Sequence, residues 1–416
     1  MFINGTTLYM SQLSLKKNMK QDEIINSFHC RSGGIAILVT NKFQKDPRVF
    51  KIAQISRYFF KEIFLISGDD QSYELDGIRI LGIKDFKRIR KFKRAATDVF
   101  KREIQSERSY GFFFAIYIVM KNIIIFLKAL SLKTKLFYAN DLDTLLAGVL
   151  LAKFKGGRLI YDAHEIYPEQ FVRGSLLYRK FMTFMEKRLI KYADKIITVN
   201  PSIARYMEDK YRVGSIKVIR NCPSYFEPLP LSKKTDNLEK REGKVIYQGY
   251  YMDGRGLEEL ILSANYIKRG KIFIRGFGPI ETRLRKVADN LDSRGCIIFS
   301  EPVGSKELVD SLIDFDIGII SYKPVSLNNY YCSPNKIFEY MMAGLALAVS
   351  DLPELRRIVQ QCDNGVLFDP NDPKDIAGKI NFLIDNPEEL ARMKANSLKW
   401  AKVYSWENEG EKLFLK

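Results

Sequence analysis

One stretch combines an anion-binding geometry with a carboxylate at helical spacing: Ser333-Pro334-Asn335-Lys336-Ile337-Phe338-Glu339-Tyr340-Met341-Met342-Ala343-Gly344. Ser333 suits an N-cap and Pro334 the first helical position, where a missing N–H costs nothing. The spacing therefore predicts a helix whose unpaired N–H groups at Asn335 and Lys336 point outward with the positive end of its dipole, an arrangement that binds phosphate. Glu339 lies about one turn further in, which brings a hydroxyl-seeking carboxylate beside that anion. Gly344 closes the helix, and Leu345-Ala346-Leu347-Ala348-Val349-Ser350 reads as a buried strand. An anion site next to a carboxylate for sugar hydroxyls suggests a nucleotide-sugar diphosphate.

Four other segments carry groups to the ends of strands. Arg158-Leu159-Ile160-Tyr161-Asp162-Ala163 delivers His164 and Glu165, and His29 is the only other histidine of the chain. Strand ends of α/β sheets line ligand crevices, so His164 is a site candidate, while Glu165 either orients an acceptor or bonds its own loop. Ile35 to Thr40 is a strand, and the helix opened by Asp46-Pro47 puts Arg48 in such a crevice unless it is a solvated first-turn residue. Leu136 to Ala139 delivers Asn140-Asp141-Leu142-Asp143, literally an Asp-x-Asp of the kind that holds a metal-diphosphate; here Asp143 reads instead as N-cap of a helix from Thr144. Lys244 to Tyr250 runs into Asp253-Gly254-Arg255-Gly256, where glycines permit close backbone approach and Arg255 can pair bidentately with phosphate. Lys271 to Phe277 repeats the strand-then-glycine pattern, so that Gly249 and Gly276 fall on the same donor side.

The run SPNKIFEYMMAGLALAVSDLPELRRIV resembles the donor-binding segment of retaining glycosyltransferases of family 4, which have the GT-B fold. That family's Glu-x7-Glu places its second Glu on the donor ribose, and Glu339 matches it; the first position holds Tyr331, a departure. Asp-Pro-Arg-Val at 46–49, YANDLDTLLAG at 138–148 and Ile297 to Gly304 resemble further family segments. The resemblance implies a role for each candidate. His164 contacts the transferred sugar; Arg255, Lys336 and the N–H groups after Ser333 hold the diphosphate; Arg48, Asp141 and Glu165 face the acceptor. No metal or other cofactor is expected. The implied reaction is retaining sugar transfer from a nucleotide-diphosphate sugar to a lipid-linked glycan in surface polysaccharide synthesis. Two rival readings remain, a nucleotide-sugar epimerase and a non-catalytic binding or scaffold protein that partners another glycosyltransferase.

The elements that must position these groups alternate as strand and helix through both halves of a 416-residue chain, too long for one ordinary core. The expected fold class is α/β, a GT-B arrangement of two doubly wound Rossmann-like domains with an interdomain cleft. Its expected divisions are an unassigned extension at 1–33, an acceptor-side domain at 34–223, a linker at 224–243, a nucleotide-sugar-binding domain at 244–395, and a C-terminal helix at 396–416 that crosses back. The formal net charge of +18 suits an anionic surface or substrate, and no nucleic-acid motif accompanies it. Five scattered cysteines without a CxxC argue for a reducing compartment, and no signal peptide is read, so a cytoplasmic location at the inner face of the membrane is expected. Residues 84–130 join a basic run, Lys84 to Arg94, to an apolar stretch, Gly111 to Leu130. The stretch suits a buried core helix, and the basic run an anionic membrane surface; a span would leave Lys121-Asn122 near the bilayer centre.

Overall fold

The computed structural model describes residues 33–43, 46–84, 107–169, 176–227, 242–291, 295–304 and 307–414, the side chains of 107–114 excepted. The expectations for residues 1–32, for the basic run beyond Lys84 and for most of the linker lie outside the described residues.

Domain one contains β1 Gly34–Leu38, α1 Pro47–Ser56, β2 Glu62–Ser67, β3 Tyr73–Leu75, β4 Ile78–Gly82, α2 Glu107–Ala129, β5 Thr134–Asn140, α3 Leu142–Lys155, β6 Arg158–Ala163, α4 Leu176–Leu189, β7 Lys195–Thr198, α5 Pro201–Tyr211 and β8 Lys217–Val218. Its sheet has the order β3-β4-β2-β1-β5-β6-β7-β8. The described pairings are parallel except β3 with β4. The order reverses between β1 and β5, which opens a crevice at the carboxyl ends of the strands.

Strand periodicity splits the side chains of this sheet between two cores. Ala36, Leu38, Phe64, Phe137, Leu159 and Tyr161 face α2 to α5, whereas Ile35, Ile37, Leu65, Leu136 and Tyr138 face α1 and the C-terminal helix. Both faces are therefore buried, as the continuous apolar runs require. α2 packs as a core helix: Ile118, Asn122 and Ile125 are buried. The Asn122 side chain donates to the Asp143 carbonyl at 2.9 Å and accepts the Ala147 N–H at 2.8 Å. No helix among the described residues is long and apolar enough to cross a membrane.

Domain two contains β9 Lys244–Tyr250, α6 Leu257–Ser263, β10 Lys271–Phe277, α7 Glu281–Leu291, β11 Ile297–Ser300, β12 Ile317–Ile320, α8 Leu327–Tyr330, α9 Asn335–Met342, β13 Ala346–Ser350, α10 Pro353–Cys362, β14 Gly365–Phe368, α11 Pro373–Asp385 and α12 Pro387–Ala401. Its six-stranded parallel sheet has the order β11-β10-β9-β12-β13-β14, with the reversal at β9 and β12. α12 buries Leu390, Met393 and Ala401 in this domain, so the domain continues to residue 401 rather than 395. The last helix, α13 Trp406–Phe414, then lies on α1 and puts Trp406, Leu413 and Phe414 into the core of domain one.

Candidate active site

The domain-two side of the candidate site is built where β9 and β12 end. α9 starts one residue later than its sequence suggests: Pro334 is the N-cap, in extended backbone, and Asn335 the first helical residue. Ser333 is therefore not the cap, and its hydroxyl is buried without a hydrogen-bond partner among the described residues. Pro334 has no side-chain acceptor to offer, so the N–H groups of Asn335 and Lys336 stay unpaired among the described residues while Ile337 N–H turns back to the Pro334 carbonyl.

Two basic side chains share an aromatic cage beside this helix end. Lys336 Nζ lies 3.8 Å from the centroid of the Tyr247 ring and 5.1 Å from that of Tyr322, and it has no hydrogen-bond partner among the described residues. The Arg255 guanidinium lies 4.0 Å from the centroid of the same Tyr322 ring. Neither meets a carboxylate at ion-pair distance among the described residues. Burial, and then the Arg255 charge, hold the Lys336 amine well below the usual lysine range. Gly249 makes room for it, since a Cβ there would stand 2.8 Å from Lys336 Nζ. Gly276 in turn makes room for Gly249: a Cβ at 276 would come within 1.9 Å of the Gly249 carbonyl oxygen. Glu339 sits one turn into α9 and accepts from Gln248 Nε2 at 3.2 Å. Burial raises its pKa, against the pull of Gln248, Lys336 and Lys51.

The domain-one side is a charge network anchored on Asp162. This carboxylate accepts from Arg48 Nε at 2.8 Å, Arg48 Nη2 at 2.9 Å and the Tyr138 hydroxyl, and faces His164 Nε2 at 2.9 Å. Arg48 is buried, and its remaining nitrogen donates to the Ile219 carbonyl at 2.8 Å. It thus neither faces a crevice nor meets solvent, because all three of its nitrogens are spent on Asp162 and Ile219. Burial would raise the Asp162 pKa, but Arg48 and His164 hold it well below the usual carboxylate range. Asp141 takes the other edge of the histidine: its carboxylate accepts the His164 backbone N–H at 3.0 Å and lies 3.4 Å from Nδ1. Burial alone would lower the His164 pKa, yet Asp141 and Asp162 push it up to about 10. The two carboxylates thus favour the protonated ring and hold it at both nitrogens.

Asp141, not Asp143, is the N-cap of α3, with φ 63° and ψ 169° and no capping side-chain bond. A non-glycine residue rarely occupies this region, and the contacts to His164 hold it there. Asp143 is a buried residue of the first turn, bonded by Thr40 and by Lys121 Nζ at 3.3 Å. The two carboxylates of the Asp-x-Asp thus have separate protein partners.

Four contacts bring the halves together. Asn328 Nδ2 donates to Glu165 Oε2 at 3.0 Å, and Ile166 N–H to Asn328 Oδ1 at 3.2 Å. Asn200 Nδ2 donates to the Tyr331 carbonyl at 2.8 Å, and Ser202 N–H to Glu354 Oε1 at 2.9 Å. The Tyr331 ring packs on the domain-one core, so this position joins the domains. Burial would lower the Arg255 pKa, but Tyr322, Tyr247, Cys332 and Glu165 raise it.

Asp162, Gln248, Tyr247, Tyr322 and Asn328 escape a reading of the sequence. Asp162 had a signal: it lies two residues before His164, and strand residues two apart share a face. Gln248 similarly precedes Gly249 at a strand end. Tyr247, Tyr322 and Asn328 carry no spacing signal of their own.

Known proteins match both halves of the chain. A family model described as Glycosyltransferase Family 4 matches residues 88–222, and one described as Glycosyl transferases group 1 matches residues 230–400. An uncharacterized glycosyltransferase of Methanocaldococcus jannaschii is 25% identical over 264 residues, 60% of this chain and 64% of the relative. A second uncharacterized glycosyltransferase, from Haemophilus influenzae, is matched over 58% of its length, so the chain spans less than two thirds of both curated relatives. Sucrose-phosphate synthase of Thermosynechococcus elongatus superposes with a TM-score of 0.68 at 15% identity, covering 92% of this chain and 97% of that one. Anabaena HepE in complex with UDP gives a TM-score of 0.63 at 15% identity, covering 91% and 98%. One model on each Rossmann-like half, over two sheets arranged as in GT-B proteins, makes this chain a member of the group 1 glycosyltransferases.

Proposed function

We propose that the protein transfers a sugar, with retention and without a metal, from a nucleotide-diphosphate sugar to a lipid-linked glycan in surface polysaccharide synthesis. The observation that carries the donor half is the pair of basic groups that meet no carboxylate at ion-pair distance among the described residues, the buried Lys336 and the half-buried Arg255, beside the unpaired N–H groups of α9. A diphosphate supplies the missing charge. As the bond from the anomeric carbon to the diphosphate oxygen breaks, these donors stabilise the developing negative charge, the work a metal does in other transferases. Glu339 takes the ribose hydroxyls, and the clamped His164 imidazolium presents a fixed positive edge to the sugar. Asp162 and Asp141 are committed to Arg48 and His164, so neither serves as a covalent nucleophile. Retention follows the family pattern at Ser333 to Glu339.

The net charge of +18 and the exposed Met120, Ile123 and Leu127 along α2 support a lipid-linked acceptor at an anionic, cytoplasm-facing membrane surface. Incubation of purified protein with UDP-, GDP- and ADP-sugars and a membrane lipid extract, in EDTA, tests the reading. It expects a glycolipid whose new linkage keeps the donor's anomeric configuration by NMR. Loss of transfer in EDTA, or an inverted anomer, contradicts it.

A further inference from the structure

Outside the donor site, a groove of about 670 Å³ opens between domain one and the segment that leads into α8. One wall is the outer face of α4. Leu176, Lys180, Phe184 and Lys187 follow at spacings of three and four residues and line it together, while Tyr178, Met182 and Met185 turn into the core. Arg179 and Lys210 add two more cations, against a single carboxylate, Glu169, already paired with Arg179 at 3.2 Å. The facing wall is Val325 to Leu327.

Two features set this groove apart from an ordinary charged surface. Leu176 is 51% and Phe184 56% exposed, so large apolar groups stand in water between the lysines. Lys180 and Lys187 have no anionic partner among the described residues. The wall of the groove at Val325 to Leu327 also leads along the chain to the active site: the residue after Leu327 is Asn328, which holds Glu165 and the Ile166 N–H, and Val325 lies against Gly254, next to Arg255.

We infer that this groove seats the acceptor, and that the acceptor is an amphiphile with a phosphate or diphosphate between its sugar and a long apolar chain. Lys180 and Lys187, with Arg179 and Lys210 at the rim, take the phosphate charge; Leu176, Phe184 and Leu327 cover the first carbons of the chain. The sugar end then points along 325–328 toward Glu165 and the donor. The assignment rests on the transfer reading above and gives it a substrate class. It also replaces the acceptor-side role expected of Arg48 and Asp141, whose side chains are consumed by Asp162 and His164.

The test is titration calorimetry of the full chain with geranylgeranyl diphosphate below its critical micelle concentration. Inorganic pyrophosphate and geranylgeraniol serve as its two halves, and UDP, GDP and ADP are titrated into the same samples. The amphiphile should bind at least tenfold more tightly than either half. Lys180→Glu with Lys187→Glu should weaken it at least tenfold, and Lys180→Gln with Lys187→Gln by a smaller factor, with circular dichroism confirming the fold. Equal affinity of wild type and the Glu variant overturns the inference. So does pyrophosphate that binds as tightly as the amphiphile and is displaced by nucleotide, since the probe then occupies the donor site. If no nucleotide binds but the amphiphile keeps its dependence on the two lysines, the groove stands and the donor reading falls. If nucleotide binds and the amphiphile does not, the groove assignment falls and the donor reading stands.

Discussion

Lys336 is driven toward the neutral amine by burial and by Arg255, and a bound diphosphate would restore its proton by bringing negative charge to Nζ. Donor binding should therefore take up a proton. Calorimetry at one pH in buffers of different ionisation enthalpy should show more proton uptake for wild type than for Lys336→Met; equal uptake would contradict this role of Lys336. His164 makes a second prediction. Its folded pKa of about 10 exceeds the ordinary 6.5, so its stabilising contribution is fully present below about pH 6.5 and is lost as pH rises toward 10. Lys51 and Lys195, lowered to about 8, contribute the opposite slope, so the difference between proteins isolates the histidine. Urea unfolding of wild type and His164→Asn should differ most near pH 6.5 and converge by about pH 10; a constant difference would place the effect in packing. At this scale the residue types were legible but not their partners. Arg48 looked like a ligand-facing cation because its acceptor, Asp162, lies 114 positions away in the chain.

Among the elements, the strands were the most legible, because parallel strands buried on both faces must be continuously apolar. Helix starts were less so. Ser333-Pro334 satisfies the cap-then-proline pattern, yet the backbone turns helical only after the proline. Asp141 is a cap without a capping bond, its backbone held by the contact to His164 rather than by local preference. Tertiary contacts override local signals at both positions, and both border the site. The paired strand ends at Gly249 and Gly276 give a test at this scale. Both residues have φ near +145°, where a side chain is strained, and the Cβ of Gly276→Ala would also strike the Gly249 carbonyl. Gly276→Ala should cost roughly 1–3 kcal/mol in urea unfolding and weaken nucleotide binding, because Gly249 moves and displaces Lys336. Gly378→Ala has nothing within 4 Å of its Cβ and serves as control, with stability unchanged or slightly raised.

Among the described residues, the halves are joined through the contacts beside the site and through α13. Trp406 is buried against domain one, donates its backbone N–H to the Pro223 carbonyl at 2.8 Å and lies 5.2 Å from Lys51 Nζ. Trp406→Ala should cost about 3–5 kcal/mol by cavity formation, read in urea unfolding, with transfer lost through misplaced domains rather than lost donor contacts. The two-domain plan was readable from length and alternation; the pairing of particular residues across the cleft was not, since no local pattern encodes Asn328 facing Glu165. The central claim is that a nucleotide-diphosphate sugar is held by Ser333 to Glu339 together with Arg255. The most direct measurement is calorimetric affinity for UDP-, GDP- and ADP-sugars, in EDTA, with wild type and Glu339→Ala. One nucleotide should bind the wild type and lose at least tenfold in the variant, with EDTA making no difference. Failure of all three to bind, or equal binding by the variant, would contradict the assignment of the site.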